Sequence, residues 1–340
     1  MVHSMRESDA AFVGDSTWEV EMQEVWERGM NLERVTQAIV DSGIGPVAAE
    51  EGARLVAAFI DAAPRFPDTG WKTLAVEVPW YMMLRPKTLV VGVMDRIPID
   101  PDGNIWGCEW KSRKEPRMTK AGVPYKGDSE QDWLAEISSG QQVRIYALAM
   151  RRAHFVWEDK LSSTLWDGAQ LPRLIVRAVV KAVPAYVWPT RPEDGQFTFP
   201  EPYLDATEAA LVNAAEAIRA ARKTGLVPHS LLGLHCINKY NRLCDFHEPF
   251  CSKGLHPIGE TWTSPNSTDP GWKAIEASGA DLSDPDVVVL SASSYGTWAQ
   301  CPEQYRILVA GLGAPQESMA LDVGTGLHSG VAQFFREQKE

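Results

Sequence analysis

Between Pro64 and Ser112 the apolar residues stop recurring at helical intervals and run in strand-like blocks, which restricts the fold more than any other stretch. The blocks are LAVEVPWYMML, TLVVGVMDRIPID and IWGCEWKS, with Pro-Asp-Gly-Asn between the last two. Runs of β-branched and aromatic residues punctuated by turn residues pair as adjacent strands, and the last two predict a hairpin. Helical spacing flanks them. From Trp18 to about Ala63, Val25, Met30, Leu32, Val35 and Ile39, then Ala53, Leu55, Val56, Phe59 and Ile60, predict two helices broken between Gly43 and Pro46. Beyond the strands a helix is expected from Asp132 to about Phe155, a buried strand in LPRLIVRAVVKAV, and an alanine-rich helix from Asp205 to Lys223. That order makes an α/β fold with a central mixed β-sheet flanked by helices.

From Ser252 to about Pro285 the chain turns rich in Ser, Thr, Pro and Gly and reads as a linker. After it come VVVLSASS, the helix-prone TWAQCPEQYRILVAG and a last helix in which Leu327, Val331, Phe334 and Phe335 share a face. The organisation expected is a core over residues 1–255, a linker over 256–285 and a further part of the same domain over 286–340.

No run of about 18 apolar residues is present to span a bilayer. The acidic, polar start lacks a secretory signal, so a cytoplasmic location with reduced cysteines is expected. The net charge of -12 argues against indiscriminate, charge-driven coating of nucleic acid. A local cationic strip is still available in Lys111, Arg113, Lys114, Arg117, Lys120 and Lys126, which is either a DNA-contacting segment or a solvated loop.

The chemistry concentrates in VVGVMDRIPIDPDGNIWGCEWKS. Asp95 closes one β-run, while Glu109 and Lys111, two apart on the next, point to one face, and the hairpin brings Asp95 beside them. Two carboxylates at the ends of paired strands can hold Mg²⁺ or Mn²⁺ with hard oxygen ligands, and Trp110 can add its backbone carbonyl. A lysine there can orient or help deprotonate an attacking water and offset charge on a phosphate. Cys108 should point away from the carboxylates into the core. Glu77, on the preceding strand, either assists the metal site or is a strand-edge glutamate, the second reading being favoured.

Three motifs in series resemble the PD-(D/E)xK nucleases, and in particular their RecB-like exonuclease branch: Gly92-Val93-Met94-Asp95, then Glu109-Trp110-Lys111, then Gln142-Val143-Arg144-Ile145-Tyr146. Gln142 and Tyr146 stand one helical turn apart and can face one groove, with Gln141 a rival for the register. The resemblance implies a restriction-endonuclease-like core and a metal-dependent deoxyribonuclease acting on single strands or duplex ends. It implies Asp95, Glu109, Lys111, Gln142 and Tyr146 as the catalytic set. Phage recombination, DNA repair and CRISPR adaptation all use such domains, so a helicase or recombination partner is a further implication. A non-catalytic DNA-binding or scaffolding module of the same fold is the alternative.

Cys236, Cys244 and Cys251 cluster near the end of the α/β segment and can bind zinc with His235 or His247, or an iron-sulfur cluster with another cysteine, or remain buried thiols. They are similar to the three late cysteines of iron-sulfur-bearing RecB-like nucleases, which implies a [4Fe-4S] cluster with Cys301 as fourth ligand. In that family the order is an S-x-S helix, C-P-x-x-Y and G-x-x-x-H, all ahead of the catalytic strands. Here Ser291-Ala292-Ser293, Cys301-Pro302-Glu303-Gln304-Tyr305 and Gly324-Thr325-Gly326-Leu327-His328 stand at the far end instead. This resembles a circular permutation, under which His328 joins Asp95, Glu109 and the Trp110 carbonyl at the metal; the alternative is that residues 286–340 begin a second, shortened nuclease domain.

Overall fold

The computed structural model describes residues 32–63, 68, 70–114, 119–122, 132, 135–137, 140–157, 160–162, 173–181, 186–187, 196–225, 271–309 and 319–337. In chain order the elements are α1 (Leu32–Asp41), α2 (Pro46–Ala62), β1 (Lys72–Arg85), β2 (Thr88–Ile99), β3 (Gly107–Lys114), α3 (Gln141–Arg152), β4 (His154–Trp157), β5 (Lys160–Ser162), β6 (Arg173–Lys181), β7 (Tyr186–Val187), β8 (Gln196–Thr198), α4 (Glu201–Thr224), α5 (Trp272–Ser278), β9 (Val288–Leu290), α6 (Ala292–Gln300), α7 (Pro302–Val309) and α8 (Met319–Glu337).

Nine strands among the described residues form one mixed sheet, ordered β5-β4-β1-β2-β3-β6-β7, with β8 on β6 and β9 on β2. Antiparallel pairing dominates, and β3 with β6 and β2 with β9 are the parallel pairs. Period-2 alternation then separates two cores. Leu174 and Val176 of β6 join one cluster with Val143, Leu148, Leu211 and Ile218 of α3 and α4. Ile175 between them joins the other, with Cys108 and Trp110 of β3 and residues of α1, α2 and α8. The result is the expected α/β sandwich, with Cys108 fully buried on the face away from Glu109.

The hairpin between β2 and β3 is built around Asp100. Its carboxylate accepts the backbone N–H of Asp102 at 3.0 Å and of Asn104 at 2.7 Å, and the Trp106 indole N–H at 2.9 Å. These donors hold its carboxyl below the usual range against the opposing pull of burial. Gly103 takes φ +83°, a conformation that glycine adopts without a Cβ clash.

The described residues of the 286–340 segment contribute to this same sheet and core. β9 lies parallel to β2 at Thr88–Val90, and Val288 and Leu290 are fully buried. Arg219 donates to the Asp286 carbonyl at 2.8 Å, and Arg222 to the Val287 carbonyl at 2.7 Å, stitching the strand's approach to α4. Ser291 caps α6 in a reciprocal box with Ser294, which gives the S-x-S segment a structural reason. The last helix, α8, lies on α1 and α2 at a crossing of glycines: a Cβ on Gly52 would meet the Gly326 Cα at 3.2 Å.

One expectation is corrected. Within the 256–285 linker, Trp272–Ser278 is a helix, and its Ala274 and Ile275 are buried against Tyr81, Leu89 and Val91. Two apolar residues one apart between polar ones give a single turn of amphipathic signal, too little to stand out from a Ser/Pro-rich stretch.

Candidate metal-dependent active site

The backbone ladder between β2 and β3 runs from Ile99↔Ile105 to Arg96↔Cys108 and then opens at Asp95. There the Trp110 N–H donates to Asp95 Oδ2 at 2.7 Å, so a side chain takes the amide that the ladder releases. The other carboxylate oxygen, Oδ1, faces α8, where His328 Nδ1 lies 3.1 Å away. Asp95 is thus a buried carboxylate spanning a split between two strands, with one oxygen committed to structure and one directed at a histidine from the far end of the chain.

Glu77 is the third member of this group. The register Val76↔Arg96 and Val78↔Met94 sets it opposite Asp95, and its φ of +50° places it in the left-handed region. A non-glycine residue held there costs roughly 1–3 kcal/mol, and such strain collects at functional sites. Its Oε1 is 3.8 Å from His328 Nδ1, buried, and without a hydrogen-bond partner among the described residues. Donor atoms of Glu77, Asp95 and His328 all lie within 4.8 Å of one another. Of the expected trio of Asp95, Glu109 and His328, this group holds Asp95 and His328, and Glu77 joins them.

Glu109 lies on the α3 side of β3. Its Oε1 accepts from Lys111 Nζ and from Gln142 Nε2, the latter at 2.7 Å, while its Oε2 is buried and unpartnered among the described residues. Gln142 Nε2 also donates to the Tyr146 hydroxyl at 3.2 Å. The i,i+4 pair therefore faces Glu109, whereas the rival Gln141 has its Oε1 beside Gly296 of α6. Trp110, between the two charged residues, points to the opposite core, stacked on Phe335 at 5.7 Å and 6°.

Burial pushes the Glu109 carboxyl up to about 8, helped by the Asp95 charge and opposed by Lys111. Burial would lower Lys111, but Glu109 outweighs it and the ammonium ends up raised. His328 follows the same logic: burial pulls it down, Asp95 and Glu77 pull it up, and it rises well above the usual imidazole value. Tyr146 is held well up by burial and by the neighbouring acids, so its hydroxyl stays neutral. A crowded acidic centre that retains protons, with two orphaned carboxylate oxygens and an imidazole, is chemically matched to a hard divalent cation.

Of the remaining candidates, Cys301 is the C-cap of α6, where its Sγ accepts the Gln304 N–H at 3.4 Å. Cys236, Cys244 and Cys251 lie outside the described residues, as do Arg117 and Lys126 of the cationic strip. No helix among the described residues is long and apolar enough to cross a membrane.

No curated protein and no solved structure matches the chain. The family model for the PD-(D/E)XK nuclease superfamily matches residues 7–248, which includes Asp95, Glu109, Lys111, Gln142 and Tyr146. With that match over most of its length, and with this sheet and acidic centre, the chain belongs to the PD-(D/E)XK nuclease superfamily.

Proposed function

We propose that the chain is a Mg²⁺- or Mn²⁺-dependent deoxyribonuclease of the RecB-like type, working as an exonuclease on single strands or duplex ends. The observation that carries the metal-dependent reading is the meeting of Glu77, Asp95 and His328 within 4.8 Å, one strand away from the Glu109–Lys111 pair. Asp95, Glu77 and His328 would hold the cation, with Glu109 Oε2 and the Trp110 carbonyl as further donors. The cation, when bound, would supply Lewis-acid polarisation of the scissile phosphate and a lowered pKa for water.

The chain's own groups divide the remaining work. Lys111 directs its ammonium at the edge of the site, where it orients the attacking water and offsets charge developing on the phosphate. Gln142, braced by Tyr146, holds one oxygen of Glu109 and leaves the other for the cation. Trp110, Phe335 and Phe59 pack a water-excluding wall behind the carboxylates. The exonuclease and DNA assignments draw on the RecB-like motif series.

Two further parts of the reading concern chain order. Residues 286–340 lie beyond the family match yet supply His328, which supports a circularly permuted domain. The spacing of Cys236, Cys244 and Cys251, with Cys301 ahead of a proline, supports a [4Fe-4S] cluster that ties the two parts together. Iron and sulfide content of anaerobically purified protein tests both. Loss of the cluster on Cys301→Ser is expected, and a colourless protein holding zinc would refute the iron-sulfur assignment.

A further inference from the structure

Gly92 of the Gly92-Val93-Met94-Asp95 segment carries no functional group, and its surroundings give it a reason. It lies directly across from Trp80 in the β1–β2 ladder. A Cβ there would fall 2.4 Å from Cζ2 and 2.8 Å from Cε2 of the indole. Carbon atoms in contact prefer separations of about 3.5–4.0 Å, so only glycine lets the indole lie flat on β2.

Trp80 is wholly buried, and its Nε1 has no hydrogen-bond partner among the described residues. Leaving an indole donor unsatisfied is unfavourable, and a phenylalanine would avoid it. What the larger ring reaches is Tyr146, at 5.7 Å between centroids and 86° between planes. That edge-to-face contact fixes the ring whose hydroxyl accepts from Gln142 Nε2 at 3.2 Å, and the same amide donates to Glu109 Oε1 at 2.7 Å.

We propose that Trp80 is a positioning residue for Glu109: admitted by Gly92, its indole fixes Tyr146, which fixes the Gln142 amide that holds the carboxylate. The inference rests on the reading of Glu109 as part of a metal-dependent nuclease site.

The test is a double-mutant cycle of wild type, Trp80→Leu, Gln142→Ala and the double variant. The readouts are Mn²⁺ affinity, from the paramagnetic resonance of free Mn²⁺, and kcat and KM on end-labelled DNA. Trp80→Leu is expected to lower Mn²⁺ affinity or kcat by about 10-fold, within the range usual for residues that orient metal-site ligands, with KM little changed. Trp80→Phe, whose shorter ring falls short of Tyr146, is expected to recover only part of the loss. In the Gln142→Ala background Trp80→Leu is expected to add less than about 2-fold, because the relay is already cut. An unaltered Trp80→Leu protein, or an equal loss with and without Gln142, overturns the proposal. If Trp80→Leu fails to fold, Trp80→Met replaces it in the same cycle. Should the wild type bind Mn²⁺ but leave DNA intact, the nuclease reading falls, and the Mn²⁺ cycle alone still decides the positioning role.

Discussion

Replacing Gly330 by alanine adds one methyl group at the tightest point of the crossing between α8 and the helices beneath it. The new Cβ would stand 2.5 Å from Val56 Cγ2 and 3.1 Å from both Cδ1 and Cγ1 of Ile39. Valine in a helix has essentially one rotamer, so Val56 cannot swing aside and α8 must retreat by about 1 Å to reach an ordinary contact distance. Overpacking of this kind costs about 1–3 kcal/mol, and the gain in helix propensity from glycine to alanine returns about 1 kcal/mol of it. Folding should therefore weaken by only about 0–2 kcal/mol. The site should suffer more. His328 lies two residues before Gly330 on α8, and its Nδ1 is set 3.1 Å from Asp95 Oδ1. A misplacement of about 1 Å can reduce turnover roughly 100-fold. Urea unfolding, Mn²⁺ titration and cleavage of end-labelled DNA measure the two effects separately. The companion Val56→Ala substitution removes the opposing methyl and should return most of the activity to Gly330→Ala. Full activity in Gly330→Ala, or no recovery in the folded double variant, would refute the claim that this crossing sets the histidine.

Lys111→Ala should reduce cleavage by about 100- to 1000-fold, the loss typical of one electrostatic donor aimed at a transition state, while Mn²⁺ still binds. Glu77→Gln should weaken Mn²⁺ binding in a calorimetric titration, and unchanged affinity would remove Glu77 from the donor set. Asp68→Ala strands the buried Arg96 guanidinium, which pairs with Asp68 at 2.7 Å, and is expected to lower unfolding free energy in urea by about 3–5 kcal/mol. The metal-free protein should lose stability as pH rises. Glu109, raised from 4.5 to about 8, and His328, raised above 6.5, both bind more protons folded than unfolded, so the loss runs from pH 4.5 to about 8 for the first and upward from 6.5 for the second. Across pH 6 to 9 the thermal midpoint without metal should fall and Mn²⁺ affinity should rise, because the cation displaces those protons. Calorimetry across that range checks both signs.

The parts of the site that were legible from residue spacing are those fixed by short-range geometry, whereas His328 was reached only through the family resemblance. Glu109 and Lys111 are two apart on a strand, Gln142 and Tyr146 four apart on a helix, and a turn whose own Asp100 organises it returns β3 to β2. Glu77 stood in the sequence only as a possible assistant, because its place opposite Asp95 depends on an irregularity in the ladder. Counted without a break from Arg85↔Thr88 at the turn, Val78 would face Asp95, and the register shift between Met83 and Arg85 moves the facing position to Glu77. The helix Trp272–Ser278 escaped because its buried face is two residues wide. Gly52, Gly326 and Gly330 escaped for a related reason: a glycine in a helix reads as a propensity penalty until the neighbouring helix it admits is known.

The most direct measurement of the central claim is cleavage of end-labelled single- and double-stranded DNA by wild type, Asp95→Asn and Lys111→Ala, with Mg²⁺ or Mn²⁺ and after chelation. The account predicts divalent-cation-dependent cleavage by the wild type, abolished by chelation and by Asp95→Asn and reduced about 100- to 1000-fold by Lys111→Ala, while the protein stays folded. Cleavage by folded Lys111→Ala at the wild-type rate, or cleavage that survives chelation, would contradict it.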